Sequence, residues 1–539
     1  MFIKKPIARV FFVYTLGLLI PFAGMGQTYQ WFHAEPKGDT ALGISTERTY
    51  QELLKDRKAT PVIVAVIDGG VDTTHEDLKR ILWKNPKEIP GNGIDDDGNG
   101  YVDDVFGWNF LGGKDGRNVR YEQAEETRLY AKLKPLYEGK ERSAVPADKQ
   151  KEYDQFVKAR TDYRKKLAEY AAYKQPYNQL FSRVKASTEE LKKALQVTKL
   201  DTTTLQTLKS ADARAQQNAM FLYSFLTSAN FGDADTAIDE LSKAVEQINA
   251  RVDYAYNPEY NPRDIVGDNP ENWKETKYGN SDVTGPDADH GTHVAGIIAA
   301  DRENNLGVNG VANNVRIMAI RAVPDGDERD KDVANAIRYA VDNGASIINM
   351  SFGKSHSPQR EAVDQAIRYA ETKGVLLVHA AGNDHLDLDA KDQYPSVAYI
   401  NGQEIPNMIT VGATGRAKGR TMVAEFSNYG RHKVDVFAPG VDIFSTVPGS
   451  EYQNHSGTSM AAPVVTGIAA VLKSYFPQLS AEAIKKIIVD SAVRYPLQVT
   501  KPGSKEPVSF AELSKTGAVV NLYEAVKLAQ AQTAKATKP

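Results

Sequence analysis

Apolar residues along this chain fall into distinct patterns, and each predicts a different kind of element. The run Val62-Ile63-Val64-Ala65-Val66-Ile67 is continuously apolar, stops at Asp68 and is followed by Gly69-Gly70, which predicts a strand buried on both faces. Beyond residue 314 such short runs alternate with helical periodicity: strand Val315 to Val323, helix Lys331 to Asn343, strand Ala345 to Met350, helix Pro358 to Lys373, strand Val375 to Ala380. That alternation implies right-handed βαβ crossovers and a mainly parallel sheet with helices on both faces. From about Lys114 to Pro270 the pattern changes: glycine nearly vanishes and Lys, Glu, Ala, Gln and Tyr dominate. Tyr153, Phe156, Tyr163, Leu167 and Tyr170 recur at helical spacing there, as do Ile238, Leu241, Val245 and Ile248. An inserted α-helical hairpin or small bundle is expected over 114–277, broken near Pro135, Pro146, Pro176 and Gly232, with the tyrosine stripe as its core. The α/β domain then comprises 61–113 and 278–531, closed by helices at Ala481 to Ser491 and Asn521 to Ala531, with 532–539 a polar tail.

Candidate chemistry starts from Gly457-Thr458-Ser459-Met460-Ala461-Ala462-Pro463, which leads into an apolar helix over Val464 to Lys473. Proline is tolerated in a helix's first turn, so the helix is expected to begin near Ser459. A hydroxyl there sits among unpaired N–H groups at the positive end of the dipole, a place to stabilise an oxyanion. His290-Gly291-Thr292-His293 opens a second apolar helix, and Asp68 ends the first strand.

These three segments, in the order Asp, His, Ser, resemble those of subtilisin-like serine proteases (subtilases). The resemblance covers roughly Pro61 to Asp104 and Tyr278 to Ala531, and it implies a three-layer α/β fold. It also implies a serine endopeptidase in which Asp68 orients His290, His290 is the base and Ser459 the nucleophile. Ala380-Ala381-Gly382-Asn383 resembles the family's oxyanion segment, with Asn383 the donor. Ser351, Phe352 and Gly353, with Ala381 and Gly382, resemble the walls of the S1 pocket and suggest a medium or large apolar P1 side chain. Asp68 and His290 are separated by 222 positions (290 − 68), more than the family usually has, whereas His290 to Ser459, 169 positions (459 − 290), is ordinary. One departure stands out: the family usually carries Ser or Thr after the aspartate, and here it is Gly69. His293 is expected to be a packed core residue; a zinc pair with His290 lacks a third ligand.

The second chemical signal is Asp95-Asp96-Asp97-Gly98-Asn99-Gly100-Tyr101-Val102-Asp103. Side-chain oxygens at positions one, three, five and nine (Asp95, Asp97, Asn99, Asp103), a glycine at six and the Tyr101 carbonyl at seven follow the calcium-loop pattern. Phe106 stands at twelve instead of the bidentate glutamate. A structural Ca²⁺ near the Asp68 strand is expected.

At 539 residues one large domain plus an addition is expected, and the net charge of −3 gives no electrostatic case for nucleic acid. Residues 1–26 resemble a secretory signal: Lys4, Lys5 and Arg9, an apolar run from Val10 to Phe22, then small residues. An exported protein, periplasmic or extracellular, acting on protein or peptide substrates with no stable membrane span, is expected; the alternative is tethering by an uncleaved signal anchor. With no cysteine there can be no disulfide. Residues 27–60 are expected to be a connector with a helix at Tyr50 to Leu54, too short for a separately folded inhibitory pro-domain. Two rivals remain: an esterase, which lacks the G-x-S-x-G elbow, and a silent relative whose helical insert binds a partner.

Overall fold

The structure, a computed structural model, describes residues 30–36 and 41–536; the expected signal at 1–26 lies outside the described residues. The chain divides into two compact units, one of 121–261 with 325–327 and one of the remainder.

Among the described residues the larger unit holds thirteen strands: β1 Val62–Asp68, β2 Gly107–Asn109, β3 Val315–Arg321, β4 Ile347–Met350, β5 Leu376–Ala380, β6 Met408–Thr414, β7 Val436–Pro439, β8 Ile443–Val447, β9 Glu451–His455, β10 Val493–Arg494, β11 Gln498–Thr500, β12 Pro507–Ser509 and β13 Ala518–Val519. Nine form one sheet in the order β10-β13-β7-β6-β5-β4-β1-β3-β2. It is parallel except for the β10–β13 pair. The strand period of two sorts the side chains of β1 onto opposite faces. Val64 and Val66 join the core that contains the helices Asp289–Ala299 and Thr458–Tyr475. Ala65 and Ile67 join the core containing the helices Asp330–Asp342 and Arg360–Thr372. The result is a three-layer α/β fold, and it explains why β1 reads as unbroken apolar sequence.

The chain runs from β1 to β2 and β3 on one side, then crosses to β4 and onward on the other. Such a reversal opens a crevice at the strands' carboxyl ends. Asp68 is the last residue of β1, Ser351 follows β4, and Asn383 follows β5 by three residues.

Expectations change at the connector, the final helix and the boundary of the insert. The connector is not peripheral: Trp31, Phe32, Leu42, Ile44 and Leu54 are buried in the main core. Its helix begins earlier, at Thr46, and turns into a π-helix over Tyr50–Leu54. The final helix runs Leu522–Ala536, five residues into the expected polar tail. Residues 262–277 belong to the larger unit, not the insert. A buried ion cluster holds them there: Arg263 donates to both carboxylate oxygens of Asp332 (2.8 and 3.2 Å), and Lys331 Nζ to Asp268 (2.6 Å) and Glu275 (2.7 Å). Charges this buried are tolerated only when mutually paired.

In the smaller unit Glu125–Tyr137 is followed by one 46-residue helix, Gln150–Leu195, then by Ala213–Ala229 and Ala234–Ala250. Pro176 does not break the long helix as expected. Pro176 and Ala172 are both exposed, so the carbonyl that loses its donor can turn to water. The tyrosine stripe is core: Tyr153, Phe156 and Tyr163 pack with Tyr130, Tyr137 and Tyr256.

Candidate active site

Asp68, 2 % exposed, ends β1. Its Oδ1 accepts from Gly69 N at 2.8 Å and from His290 Nδ1 at 2.8 Å, while Oδ2 is buried with no partner among the described residues. A carboxylate is acceptor-only, so Nδ1 carries the imidazole proton and Nε2 is left with its lone pair. The orphaned Oδ2 is where the missing hydroxyl matters: Gly69 has no side chain to offer it.

His290 is the second residue of the helix Asp289–Ala299, which approaches the β1 loop closely because Gly291 has no Cβ. A methyl there would lie 2.1 Å from the Gly70 carbonyl oxygen and 3.0 Å from Asp68 Cβ. The His290 ring is 43 % exposed. Partial desolvation pulls its pKa down, but the charge and hydrogen bond of Asp68, with the charges of Asp289 and Asp287, outweigh it and hold the pKa above the usual 6.5. His293, one turn on, is fully buried with Nε2 against the Gln453 carbonyl (3.1 Å) and its ring stacked on His455 at 4.1 Å. Burial, then the neighbouring His455, keeps it neutral.

The helix Thr458–Tyr475 packs on the His290 helix, and His455 Nε2 lies 3.3 Å from Asp289 Oδ1, so the segments leading to Ser459 and to His290 adjoin. This helix starts at Thr458, which puts Pro463 in its second turn and not its first. Lacking an N–H, Pro463 leaves the Ser459 carbonyl without its i+4 donor. The Ser351 hydroxyl supplies one at 3.0 Å. Ser351 Oγ accepts from Asn349 Nδ2 (2.9 Å), whose Oδ1 accepts from Thr466 (2.8 Å). This buried chain locks the Ser459 segment to the end of β4. Ser459 Oγ donates to the Ser351 carbonyl at 3.1 Å.

Asn383 is oriented by Thr458. Its Oδ1 accepts from Thr458 N and Thr458 Oγ1, both at 2.9 Å, so Nδ2 is the edge left for a ligand. The Thr458 hydroxyl also accepts from Gly382 N at 3.0 Å. Of the expected pocket residues, Phe352 turns its ring into the core and Ala381 is fully buried. Only the backbone of these two can face a substrate.

In the acidic loop the structure brings Asp95 and Asp97 together with Glu88, all three offering carboxylate oxygens within 4.8 Å of one another. Glu88 Oε1 accepts from Asp96 N and Asp97 N (3.0 and 3.2 Å), while its Oε2 is buried without a partner among the described residues. Asp103 turns elsewhere, accepting from Gly91 N, Asn92 N and Gly93 N at 2.8, 3.2 and 2.9 Å. Asn99 Oδ1 accepts from Tyr101 N, and the Tyr101 ring packs between Trp108 and Tyr339. Glu88 precedes the loop, where the calcium-loop spacing gives no signal for it.

Three curated proteins compare as follows. The "Thermophilic serine proteinase" of Bacillus sp. (strain AK1) is 44 % identical over 187 residues, 34 % of this chain and 42 % of its own. Thermitase of Thermoactinomyces vulgaris is 41 % identical over 186 residues, 34 % of this chain and 61 % of its own. Subtilisin BL of Lederbergia lenta is 38 % identical over 204 residues, 38 % of this chain and 70 % of its own. The chain thus spans less than half the length of the first of these relatives. The family model described as "Subtilase family" matches residues 59–518, from the connector through both units to β13. This chain belongs to the subtilase family.

Proposed function

We infer that this protein is a serine endopeptidase, exported, that cleaves peptide bonds of proteins through an acyl-enzyme. The observation that carries the reading is the 2.8 Å contact of His290 Nδ1 with the buried Asp68 carboxylate, at the carboxyl end of β1, in the sheet whose β4 end also bonds the Ser459 segment. Ser459 Oγ leaves the Ser351 carbonyl and passes its proton to His290 Nε2 as it attacks the scissile carbonyl. His290 then gives that proton to the leaving amine. Asn383 Nδ2, free because Oδ1 is held by Thr458, donates to the developing oxyanion together with the Ser459 N–H. Water completes the cycle. A fluorophosphonate should label the wild type at Ser459 and leave Ser459→Ala unlabelled, and the wild type should digest casein. Equal labelling of both proteins would refute Ser459 as nucleophile. Casein left intact by a labelled enzyme would point to ester or small acyl substrates instead.

The Glu88–Asp95–Asp97 cluster fits a hard divalent cation: three carboxylates this close repel one another unless a cation stands among them, and Glu88 Oε2 has no other partner among the described residues. Calcium there would tie the loop before β2 to the segment after β1 and would supply stability, not chemistry. Chelation with EDTA is expected to lower Tm by roughly 2–5 °C, restored by calcium. Glu88→Gln should make Tm insensitive to chelator; a melt that ignores EDTA in the wild type would rule the site out.

A further inference from the structure

Two glycines in succession, Gly69 and Gly70, follow Asp68, and that corner carries both halves of the Asp68–His290 contact. Among the described residues the Asp68 carboxylate is held by two donors, the Gly69 N–H and His290 Nδ1, both on Oδ1. The helix that bears His290 leans on the same corner, since a Cβ on Gly291 would lie 2.1 Å from the Gly70 carbonyl oxygen. Glycine has the most backbone freedom to lose on folding, so a Gly-Gly corner keeps one shape only where its neighbours impose it.

Arg321 is the neighbour in question. Its side chain is 1 % exposed although the guanidinium stays charged in any protein. It ends β3 in register with Asp68 at the end of β1. The two N–H groups that follow it, Ala322 and Val323, donate to the Asp68 carbonyl at 3.0 and 3.1 Å. Arg321 Nε itself donates to the Gly69 carbonyl at 2.7 Å. The other two arms are anchored away from the corner, Nη1 on Asn109 Oδ1 at 3.1 Å and Nη2 on the Val119 carbonyl. Asn109 cannot turn its oxygen away, because its NH₂ edge is committed to Asn118 and Asn280 at 2.7 and 2.8 Å. A guanidinium is a planar fork, so two fixed arms fix the direction of the third. Gly285 leaves room for it: a Cβ there would lie 2.3 Å from Arg321 Nε.

We propose that Arg321 is a positioning residue for the Asp68–His290 pair, holding through the Gly69 carbonyl the corner that both partners share. The inference rests on the roles given to Asp68 and His290 in the peptidase reading. It gives Gly69 its context: with the corner held from outside by a rigid cation, the carboxylate keeps its place without a hydroxyl at position 69. Lysine is no equivalent, because a single ammonium does not reproduce the fork. Once released, the corner lets carboxylate and imidazole drift apart, and a displacement of about 1 Å between reacting groups costs up to about a hundredfold in rate.

The test is kcat and KM of Arg321→Lys on a peptide amide, beside its Tm and the downfield proton resonance of His290 Nδ1–H. We expect kcat to fall about tenfold to a hundredfold with KM within about threefold, and the resonance to broaden or vanish. Adding Gly69→Ser should restore most of the lost kcat and the resonance, because it brings a hydroxyl to the Asp68 Oδ2 that has no partner among the described residues. Space permits it, the nearest atom to a Cβ at 69 being the Val323 carbonyl oxygen at 3.2 Å. A residue that served folding alone would lower Tm and leave kcat of the folded protein unchanged. Should Arg321→Lys fail to fold, Gly285→Ala pushes on the same contact with the arginine in place, and the same loss and rescue are expected. A folded variant with kcat within about threefold of wild type, or a loss that Gly69→Ser does not restore, would overturn the proposal and leave the peptidase reading intact. Absence of both fluorophosphonate labelling and cleavage in the wild type would overturn the two together.

Discussion

Replacing His290 with alanine is expected to lower kcat for peptide-amide hydrolysis by about a millionfold, close to the loss from Ser459→Ala itself. The two groups act as one unit: without Nε2 to take its proton, the Ser459 hydroxyl is an ordinary alcohol hydrogen-bonded to the Ser351 carbonyl. Knocking out either member of such a pair in this family costs as much as removing the whole set, with the residual rate coming from the oxyanion donors and substrate binding. Asn383 and the Ser459 N–H depend on Thr458 and not on His290, so they survive the substitution. Folding should survive as well, because the ring is 43 % exposed and fills no core position. The measurement is single-turnover kinetics beside a thermal melt. A loss under about a thousandfold with an unchanged melt would assign the base to another residue, and the double variant His290→Ala with Ser459→Ala should lose nothing further.

The second large effect is at Asp68. Asp68→Asn should reduce kcat at neutral pH by about ten-thousandfold, from the lost charge and from the tautomer. With the asparagine oxygen kept against Gly69 N and His290 Nδ1, its NH₂ takes the place of the orphaned Oδ2, a buried donor with nothing to bond. Flipped, the NH₂ faces His290, forcing Nδ1 to accept and placing the proton on Nε2, where the base is needed. Neither arrangement serves. The pH dependence carries an independent signature. A base must be neutral, and in the wild type Asp68, Asp289 and Asp287 outweigh desolvation and hold the His290 pKa above 6.5. Activity should therefore rise with pH through a limb above that value and be lost as pH falls through it. Removing the Asp68 charge should move the residual limb to lower pH. An unmoved limb would mean that another group controls it.

The two sites differ in how far local sequence could reach. The places of Asp68, His290 and Ser459 in the fold were legible because each sits at a strand end or helix start that its own neighbours dictate, with Asn383 three residues past β5. Pro463 is more instructive. Its presence near the helix start is a local signal, but its place in the second turn makes sense only once the Ser351 hydroxyl is seen capping the Ser459 carbonyl from another strand. In the acidic loop, alternate spacing named five oxygens, but backbone N–H groups of Gly91, Asn92 and Gly93 claimed Asp103, and Glu88 arrived from outside the pattern. The burial of the connector was not legible for a related reason: Trp31, Phe32, Leu42 and Ile44 show no regular period, and their burial depends on surfaces far along the chain.

What the sequence by itself determined is the class of fold and the order of its chemistry. Unbroken apolar runs can be stable only as strands covered on both faces, and the helical periods between them leave a parallel sheet as the arrangement that covers them all. The tertiary structure alone decided which polar groups meet. Gln393 lies ten positions beyond Asn383 in an irregular loop, with nothing in its neighbours to mark it. It stands between Gly353 and Gly382 because β4 and β5 are adjacent in the sheet, and its carboxamide oxygen meets the Asn428 amide because Asn428 Oδ1 is held by Asp384 N and Leu386 N. Hydrophobic pattern is a property of a segment, whereas hydrogen-bond orientation is a property of partners, and partners separated by tens or hundreds of residues become definite only when the chain has folded.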